Sequence, residues 1–301
     1  MENNDIIIPY SQRPGILLLG NGINRLFSSE SWGDIIKDYA VENHVEFNKA
    51  VFDRMPYNMQ IVAATRDTVD KSMKSLCAKL NDIPTCEKQK DFMKNILDLG
   101  FTHILTSNYT YEIERSITEK KRYRVTSTVE KYNNTKDMML HREITLEDRH
   151  IWHIHGHVQT PDSVIMGHYY YGRLLSKIQE YVPQFIRRYK GCEHYEKNCR
   201  AESWVDLFLC GDVHILGLSM DFSENDLWWL ACCKKRNFPD SKIYFYGAPW
   251  DISEEKRMMM NCYGIVIPKI KCAEKDYMGL YLSAVEEIKK RICDENCFVW
   301  D

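Results

Sequence analysis

The sequence predicts an α/β fold, a Rossmann-like parallel β-sheet with helices on both faces and helical insertions. Six short runs rich in β-branched, aromatic or leucine residues are bounded by Gly, Pro, Asn or Asp, as strands are: GILLLG, THILTSN, RHIWHIHG, DVHILGLS, SKIYFYG and YGIVIP. Stretches with helical spacing lie between them, at 32–52, 59–80, 88–99, 171–189, 225–235 and 276–292. Near-continuous apolar strands that alternate with helices are typical of a parallel sheet covered on both faces.

The chain length and the spacing of the strands predict one domain over residues 1–301. Two segments exceed what a single crossover between parallel strands needs. The first, about 32–99, separates the first two strands and could cap a cleft, and the second, about 169–203, follows the histidine-rich strand. Both are predicted to be helical insertions into one α/β core.

Composition narrows the class of protein. Apolar residues make up 44% and charged residues 28%, which is ordinary for a soluble enzyme. Forty Lys+Arg against 43 Asp+Glu give a net charge of −3, so no basic field favours nucleic acid as the main ligand. The first residues, MENND, lack the basic and apolar regions of a signal peptide, and no run approaches the ~20 apolar residues of a membrane-spanning helix. We therefore expect a cytoplasmic protein.

The eleven cysteines are an odd number in a chain of this size, which favours reduced thiols over a disulfide framework. Cys192 and Cys199 flank His194, and Cys232 is next to Cys233, but neither arrangement is a paired C-x-x-C knuckle. Free thiols packed as small apolar groups are the favoured interpretation, and we expect no metal.

The first candidate motif is Gly20-Asn21-Gly22, directly after the aliphatic run ILLL. Glycine allows close approach of backbone N–H groups to a ligand, and a following helix N-terminus favours negative charge. The dinucleotide fingerprint G-x-G-x-x-G is incomplete, because Arg25 occupies its third glycine position. A phosphate-binding turn and a plain tight turn both explain this motif.

The second motif is Asn108, which follows the strand HILTS at the end where α/β enzymes bind their ligands. An Asn amide at this place can accept a hydrogen bond from water and donate to a ribose hydroxyl. The alternative is that Asn108 caps the next helix, because Asn is a favoured N-cap residue.

The third motif is HIHGH. On a strand, His153, His155 and His157 would share one face, which suggests either metal ligation or a base beside a cleft. No carboxylate is evident near them by spacing, which argues against a metal. Gly156 keeps His155 accessible, so we expect one of the three histidines to be functional.

The fourth motif is Gly217-Leu218-Ser219, at the end of the run VHIL. The Ser219 hydroxyl can bond a phosphate or a ribose hydroxyl. Glu224, Asn225 and Asp226 then precede an apolar helix and suit a capped, dipole-matched first turn. The tryptophans of that helix, Trp228 and Trp229, are predicted to belong to the core rather than to a stacking platform.

Taken in order, these four motifs resemble those of the sirtuin superfamily, which carries Gly-Ala-Gly-x-Ser, Thr-x-Asn-x-Asp, His-Gly and Gly-Thr-Ser. The segments HIHGHVQTPDSVIMGHYYYGRLL and ILGLSMDFSENDLWWL are especially similar to bacterial sirtuin-like domains of anti-phage defence. The resemblance spans residues 16–247. The ordered set is far more specific than any one of its motifs.

The resemblance implies that NAD+ is the substrate. Asn108 would contact the nicotinamide ribose and the reactive water, and His155, directly before the glycine, would be the catalytic histidine, with His153 as the fallback base. The remaining matched positions would bind the nucleotide, the first three of them at its pyrophosphate: Gly20, Asn21, Gly22, Asn24 (where sirtuins have serine), Gly217 and Ser219.

Two departures from the sirtuin pattern bear on the reaction. Thr110 replaces the family aspartate, which puts a carboxylate contact with the ribose in doubt. The four-cysteine zinc module of protein-deacylating sirtuins is absent, and the 169–203 segment occupies its place in the sequence. The absence of the zinc module favours hydrolysis of NAD+ to nicotinamide and ADP-ribose, which would deplete NAD+ in abortive infection, whereas Thr110 is the best argument for a silent subunit. A protein deacylase and a catalytically silent nucleotide sensor are the alternatives.

The resemblance also implies partners. Standalone relatives are often paired with a HerA-like ATPase. We further expect a symmetric homo-oligomer, the usual state of soluble enzymes, with contacts in the insertions around 32–80 and 169–203, where tyrosines and Trp32 suit interface anchors.

Overall fold

The computed structural model describes residues 6–10, 12–28, 32–42, 44–66, 69–127 and 139–297. Within them lie ten strands: β1 Ile6–Ile8, β2 Gly15–Leu19, β3 His103–Thr106, β4 Val125–Ser127, β5 Arg142–Leu146, β6 Arg149–His153, β7 Cys199–Ala201, β8 Asp212–Leu216, β9 Ile243–Tyr246 and β10 Ile265–Val266. The same residues form eleven α-helices: α1 Trp32–Glu42, α2 Lys49–Phe52, α3 Tyr57–Thr65, α4 Val69–Asp82, α5 Glu87–Leu97, α6 Glu112–Ile117, α7 His168–His194, α8 Trp204–Cys210, α9 Asn225–Asn237, α10 Glu254–Cys262 and α11 Tyr277–Cys297. The side chain of Trp32, the predicted interface anchor, lies outside the described part.

The main sheet has eight strands in the order β10-β9-β8-β2-β3-β6-β5-β4. All neighbours from β10 to β6 pair in parallel, which confirms the predicted α/β, Rossmann-like fold. Each of the six predicted apolar runs contains one of these parallel strands.

The sheet is mixed, however, because β5 pairs antiparallel with β6 and β4 pairs antiparallel with β5. These two strands were not predicted. β5 reads REITL and β4 has three residues, so neither shows the continuous apolar run of a doubly covered strand.

At the central strand β2, the order in which the chain adds strands to the sheet reverses. From β2 the chain proceeds to β3 and β6 on one side, and later to β8, β9 and β10 on the other. The aliphatic side chains of Ile16, Leu17, Leu18 and Leu19 are 0% exposed, because helices cover both faces of this strand. Ligands of open α/β sheets bind at such a switch point, outside the carboxyl ends of the strands.

The first insertion contains more helices than its sequence pattern predicts. Residues 32–99 form five helices, α1 to α5, and the stretches predicted at 32–52 and 59–80 are each divided in two. Helix α3 packs on α1 and α4 and also contacts α7, while α5 packs on α6. The insertion is thereby joined to the second insertion and to the helix that follows Asn108.

The second insertion consists of the 27-residue helix α7 and strand β7. The predicted helical stretch at 171–189 lies inside α7. Strand β7 pairs antiparallel with β1 in a separate two-stranded sheet, which the sequence pattern did not predict because both strands have only three residues. Helix α7 also packs on α8 and α9, so it lies over the part of the sheet that contains β8.

Two further predictions concern cysteines and membranes. The ten cysteines whose environment is described are free thiols. Within the described ranges, Cys192, His194 and Cys199 do not form a three-ligand cluster. Among those same residues, no helix has both the length and the apolar character needed to cross a bilayer.

Candidate active site

The glycine turn after β2 packs directly against the end of β8. The Gly20 N–H donates to the Leu216 carbonyl at 2.9 Å, and the Gly22 N–H donates to the Gly217 carbonyl at 2.7 Å. A Cβ on Gly20 would lie 2.5 Å from the Gly217 oxygen, so a side chain does not fit there. Gly217 has φ +73°, which favours glycine. These glycines bring the two loops together, and the amides of Gly20 and Gly22 are already engaged within the protein.

The residues after the turn form a three-residue 3₁₀ helix, Asn24–Leu26, and not the longer helix expected there. The argument that a helix N-terminus favours a phosphate is therefore wrong at this position. Asn24 is buried, donates to Asn21 Oδ1 at 3.0 Å and accepts from Gln89 Nε2 at 3.1 Å. The exposed residue of this group is Asn21, which lies at the mouth of the turn.

Asn108 follows β3 and is 7% exposed. Its N–H donates to Thr106 Oγ1 at 3.1 Å, while Thr106 Oγ1 donates to the Leu19 carbonyl at 3.1 Å, which ties the loop to β2. The next helix, α6, begins at Glu112 with Tyr111 at its N-cap, so the interpretation of Asn108 as a helix cap is wrong. The side-chain oxygen of Asn108 is buried and has no hydrogen-bond partner. Such an oxygen is available to a ligand or to water.

The three histidines do not share one strand face, because β6 ends at His153. Gly156 has φ +84°, and a Cβ there would lie 2.2 Å from the Ser163 carbonyl oxygen. The chain therefore turns near this glycine, and His155 and His157 lie beyond the end of the strand. All three imidazoles are buried, but each has different partners.

His153 lies between two acceptors. Its Nδ1 donates to the Asn108 carbonyl at 2.7 Å, and its Nε2 lies 2.8 Å from the Glu114 carboxylate, whose side chain is fully buried. Burial alone lowers the pKa of His153, but the Glu114 carboxylate and the bond to Asn108 raise it above the usual value. Both ring nitrogens of His153 are engaged, one by the Asn108 carbonyl and one by the Glu114 carboxylate, so this side chain holds the Asn108 backbone in place. This geometry argues against the fallback role as base.

His155 has a different environment. Its Nε2 lies 2.9 Å from Asp226 Oδ2, and its Nδ1 lies 3.4 Å from the Tyr171 hydroxyl. Because Asp226 accepts the Nε2 proton, Nδ1 carries the lone pair of the neutral ring. Burial lowers the pKa of His155, while the Asp226 and Glu224 carboxylates raise it to a net value above the usual one. This imidazole can accept a proton at Nδ1.

Asp226 is the functional candidate that sequence reasoning missed. It was expected to be a first-turn residue of α9, and it does lie in the first turn, but its side chain is buried and points to His155. Glu224 occupies the N-cap position without making a capping bond. Ligand atoms of His155, Glu224 and Asp226 lie within 4.8 Å of one another. Two carboxylates therefore accompany a histidine where none was evident by spacing.

His157 is bound within the protein. The Tyr111 hydroxyl lies 2.6 Å from its Nδ1. Burial, together with the neighbouring His153, lowers the pKa of His157 to about 3, so the ring is neutral. It lines a small cavity of ≈ 10 Å³ beside His153 and Ser163, about the size of one water molecule. These contacts are those of a structural histidine.

Two further positions concern the nucleotide. Thr110, at the place of the family aspartate, is hydrogen-bonded to the carboxyl of Glu112, whose burial raises its pKa. Ser219 is exposed, and its carbonyl accepts from Lys256 Nζ at 3.1 Å. Lys256 therefore adds a cation beside the Gly217–Ser219 loop that the motif search did not identify.

A comparison with known families bears on the class of domain. Residues 102–196 match the model of the SIR2-like domain. The matched segment runs from the start of β3 to the residues just after α7, and it contains both Asn108 and His155. No curated protein matches the chain. The fold and the match support a sirtuin-like domain with an NAD-related function.

Proposed function

We propose that the chain is an NAD+ glycohydrolase that releases nicotinamide and ADP-ribose. The observation that carries this proposal is the unpartnered Asn108 amide oxygen, which lies at the end of β3 beside the loop of the His155–Asp226 pair. Strands β3 and β6 are parallel neighbours with Thr106 opposite His153, so both loops leave the same edge of the sheet. A sirtuin-like domain with these residues intact suits hydrolysis of a nicotinamide–ribose bond.

The chemistry assigned to these residues follows from the bond that breaks. The C1′–N bond of NAD+ breaks through an oxocarbenium-like transition state, and its electron pair stays with the ring, so nicotinamide leaves as a neutral molecule. Water then adds to C1′, and its proton passes to His155 Nδ1. The reaction therefore needs an oriented water more than a strong acid. Asn108 would orient that water and the ribose, while Asp226 would hold the His155 tautomer.

The Asn108→Ala variant tests this assignment. We expect NAD+ cleavage to fall by about two to four orders of magnitude, because a positioned catalytic group is lost. Nicotinamide and ADP-ribose are followed by chromatography, and the melting temperature is measured on the same preparation. Because Asn108 caps no helix in this fold, the melting temperature should change little. A variant that keeps its turnover would contradict the assignment.

Thr110 favours a second candidate, a nucleotide sensor that does not turn NAD+ over. Its hydroxyl stands where sirtuins carry the ribose-binding carboxylate, and the Glu112 carboxyl is engaged with it. NAD+ binding measured by calorimetry, without nicotinamide release in any assembly state, would favour the sensor. Release that requires an acetylated peptide would instead favour protein deacylation.

The biological setting we propose is abortive infection, in which the enzyme depletes NAD+ when triggered. A toxic hydrolase has to be restrained, and assembly into a homo-oligomer or with a HerA-like ATPase would provide the restraint. Light scattering coupled to size-exclusion chromatography, with NAD+ cleavage assayed across the peak, tests this. A fully active monomer would contradict regulation by assembly.

A further inference from the structure

The group formed by His155, Glu224 and Asp226 contains more acceptor atoms than the protein satisfies. Asp226 uses Oδ2 for His155, but its Oδ1 is buried without a hydrogen-bond partner. Glu224 Oε2 is also buried without a partner. Burying an oxygen without a hydrogen-bond partner costs free energy, and two neighbouring carboxylates repel each other. The site therefore favours a bound cation.

The spacing of the three groups suits a metal ion. The His155 Nε2 and Asp226 Oδ2 atoms are 2.9 Å apart, and one ligand atom from each of the three residues lies within 4.8 Å of the other two. Ions with bonds of about 2.1 Å have neighbouring ligand atoms ~3 Å apart and opposite ones ~4 Å apart. Among the residues that the structure describes, this group has the composition and closeness of a metal site.

We propose that His155, Glu224 and Asp226 form a divalent transition-metal site, with Mn²⁺ or Zn²⁺ as the class of ion. Imidazole suits Zn²⁺ and carboxylates suit Mn²⁺, and the two carboxylates give the site the negative charge that a dication needs. Glu224 is partly exposed and Asn225 is exposed, so the group lies close to the surface of the protein. The ion would bind where the Nε2 proton of His155 now lies.

Occupancy of this site has a consequence for turnover, and this consequence rests on the proposed function. A metal at Nε2 displaces the proton to Nδ1, since a neutral imidazole carries one proton. His155 would then have no lone pair with which to accept the proton of the attacking water. The bound ion would therefore inhibit NAD+ cleavage and restrain the enzyme.

The test uses Mn²⁺ as the probe, because the free thiols of the chain would bind Zn²⁺ elsewhere. The full chain is treated with EDTA, desalted and titrated with MnCl₂, and binding is followed by the loss of the free Mn²⁺ signal in electron paramagnetic resonance. We expect one site per chain, weakened roughly ten-fold or more in Glu224→Gln, which removes a ligand while keeping the side-chain shape. Asp226→Asn is the second ligand variant.

Asp221→Asn is the matched control. It removes a neighbouring carboxylate that is occupied by bonds to the N–H and hydroxyl of Ser223, so Mn²⁺ affinity should stay within about two-fold. No binding below about 1 mM, or equal affinity in wild type and Glu224→Gln, would overturn the site. Saturating Mn²⁺ should lower the NAD+ cleavage rate at least ten-fold, and an unchanged rate would overturn the inhibition. Because Mn²⁺ binding is measured without NAD+, the binding result can be interpreted even if the chain does not hydrolyse NAD+.

Discussion

Two buried histidine–carboxylate pairs lie close together, and they differ in the contact that the second nitrogen of each imidazole makes. His153–Glu114 and His155–Asp226 are separated by 2.8 and 2.9 Å, and the side chains of both carboxylates are 0% exposed. The difference is at the second ring nitrogen. In His153 it donates to the Asn108 carbonyl, whereas in His155 it lies near the Tyr171 hydroxyl at 3.4 Å.

A buried carboxylate partner alone therefore does not make a histidine a base. Both pairs raise the histidine pKa above its usual value. A ring with acceptors on both sides has both nitrogens engaged and holds a backbone in place. A ring with one carboxylate keeps a single proton on that side and offers the other nitrogen to a reaction. We therefore expect the loss of one pair to affect folding and the loss of the other to affect turnover.

The largest effect is expected for Asp226→Asn. The amide cannot hold the Nε2 proton of His155 as the carboxylate does, so the ring would favour the wrong tautomer. NAD+ cleavage should fall by up to about four orders of magnitude, the size of the effect of the comparable change in a Ser-His-Asp triad. The measurement is nicotinamide release, with circular dichroism as the control for folding. A variant with more than a third of the wild-type rate would contradict this role of Asp226.

The Glu114→Ala variant should affect stability instead. It leaves the buried His153 side chain without its carboxylate partner at Nε2, and breaking a buried ion pair costs about 3–5 kcal/mol. Urea denaturation followed by tryptophan fluorescence gives the free energy of unfolding. A loss below about 1 kcal/mol would mean that the pair does not hold the fold, and it would remove the distinction between the two histidines.

Histidines buried without a carboxylate partner show the opposite pKa shift and give a smaller, pH-dependent effect. Burial, together with the nearby His150, lowers the pKa of His103 to about 4, from 6.5 in the unfolded chain. Between these values the unfolded chain binds more protons, so stability falls as the pH drops from about 6.5 towards 4. At pH 5 the contribution of His103 to this loss is about 2 kcal/mol.

The matched variant is His103→Phe, which cannot titrate and keeps a ring in the stack with His150. The free energy of unfolding is measured at pH 7.5 and pH 5 for both proteins. The decrease on acidification should be smaller in the variant by about 2 kcal/mol. An equal decrease in the two proteins would show that His103 does not titrate with a lowered pKa.

Features that depend on the local pattern of apolar residues, namely the parallel strands and the loops at their ends, could be predicted from the sequence. Continuous apolar runs identified the parallel strands, and their carboxyl ends located Asn108, Gly217 and the histidine turn. The sequence could not predict Asp226 as the partner of His155, because the two residues are 71 positions apart and meet only through the fold. The prediction that Asp226 lies in the first turn of α9 is confirmed. The spacing of the residues gave no sign that its side chain points into the protein towards His155.

The same limit explains the error at the histidines. An alternating HIHGH pattern predicts one strand face, yet the backbone leaves the strand after His153 and turns at Gly156. The expectation that Gly156 keeps His155 accessible is wrong, because His155 is 1% exposed. The positive φ of Gly156 turns the chain, and the three imidazoles have three different partners. The geometry of this turn depends on the packing of Gly156 against the Ser163 backbone. Ser163 lies outside the HIHGH motif, so the alternating pattern of the motif could not indicate it.

We propose that His155, and neither His153 nor His157, accepts the proton when the nicotinamide–ribose bond is cleaved. The most direct test is chromatographic measurement of nicotinamide release by wild type, His155→Ala and His157→Ala, prepared from the same full-length chain and checked for folding. We predict that His155→Ala abolishes turnover, while His157→Ala, which lacks a histidine bonded to Tyr111, retains most of it. Full activity in His155→Ala, or equal losses in both variants, would contradict the claim.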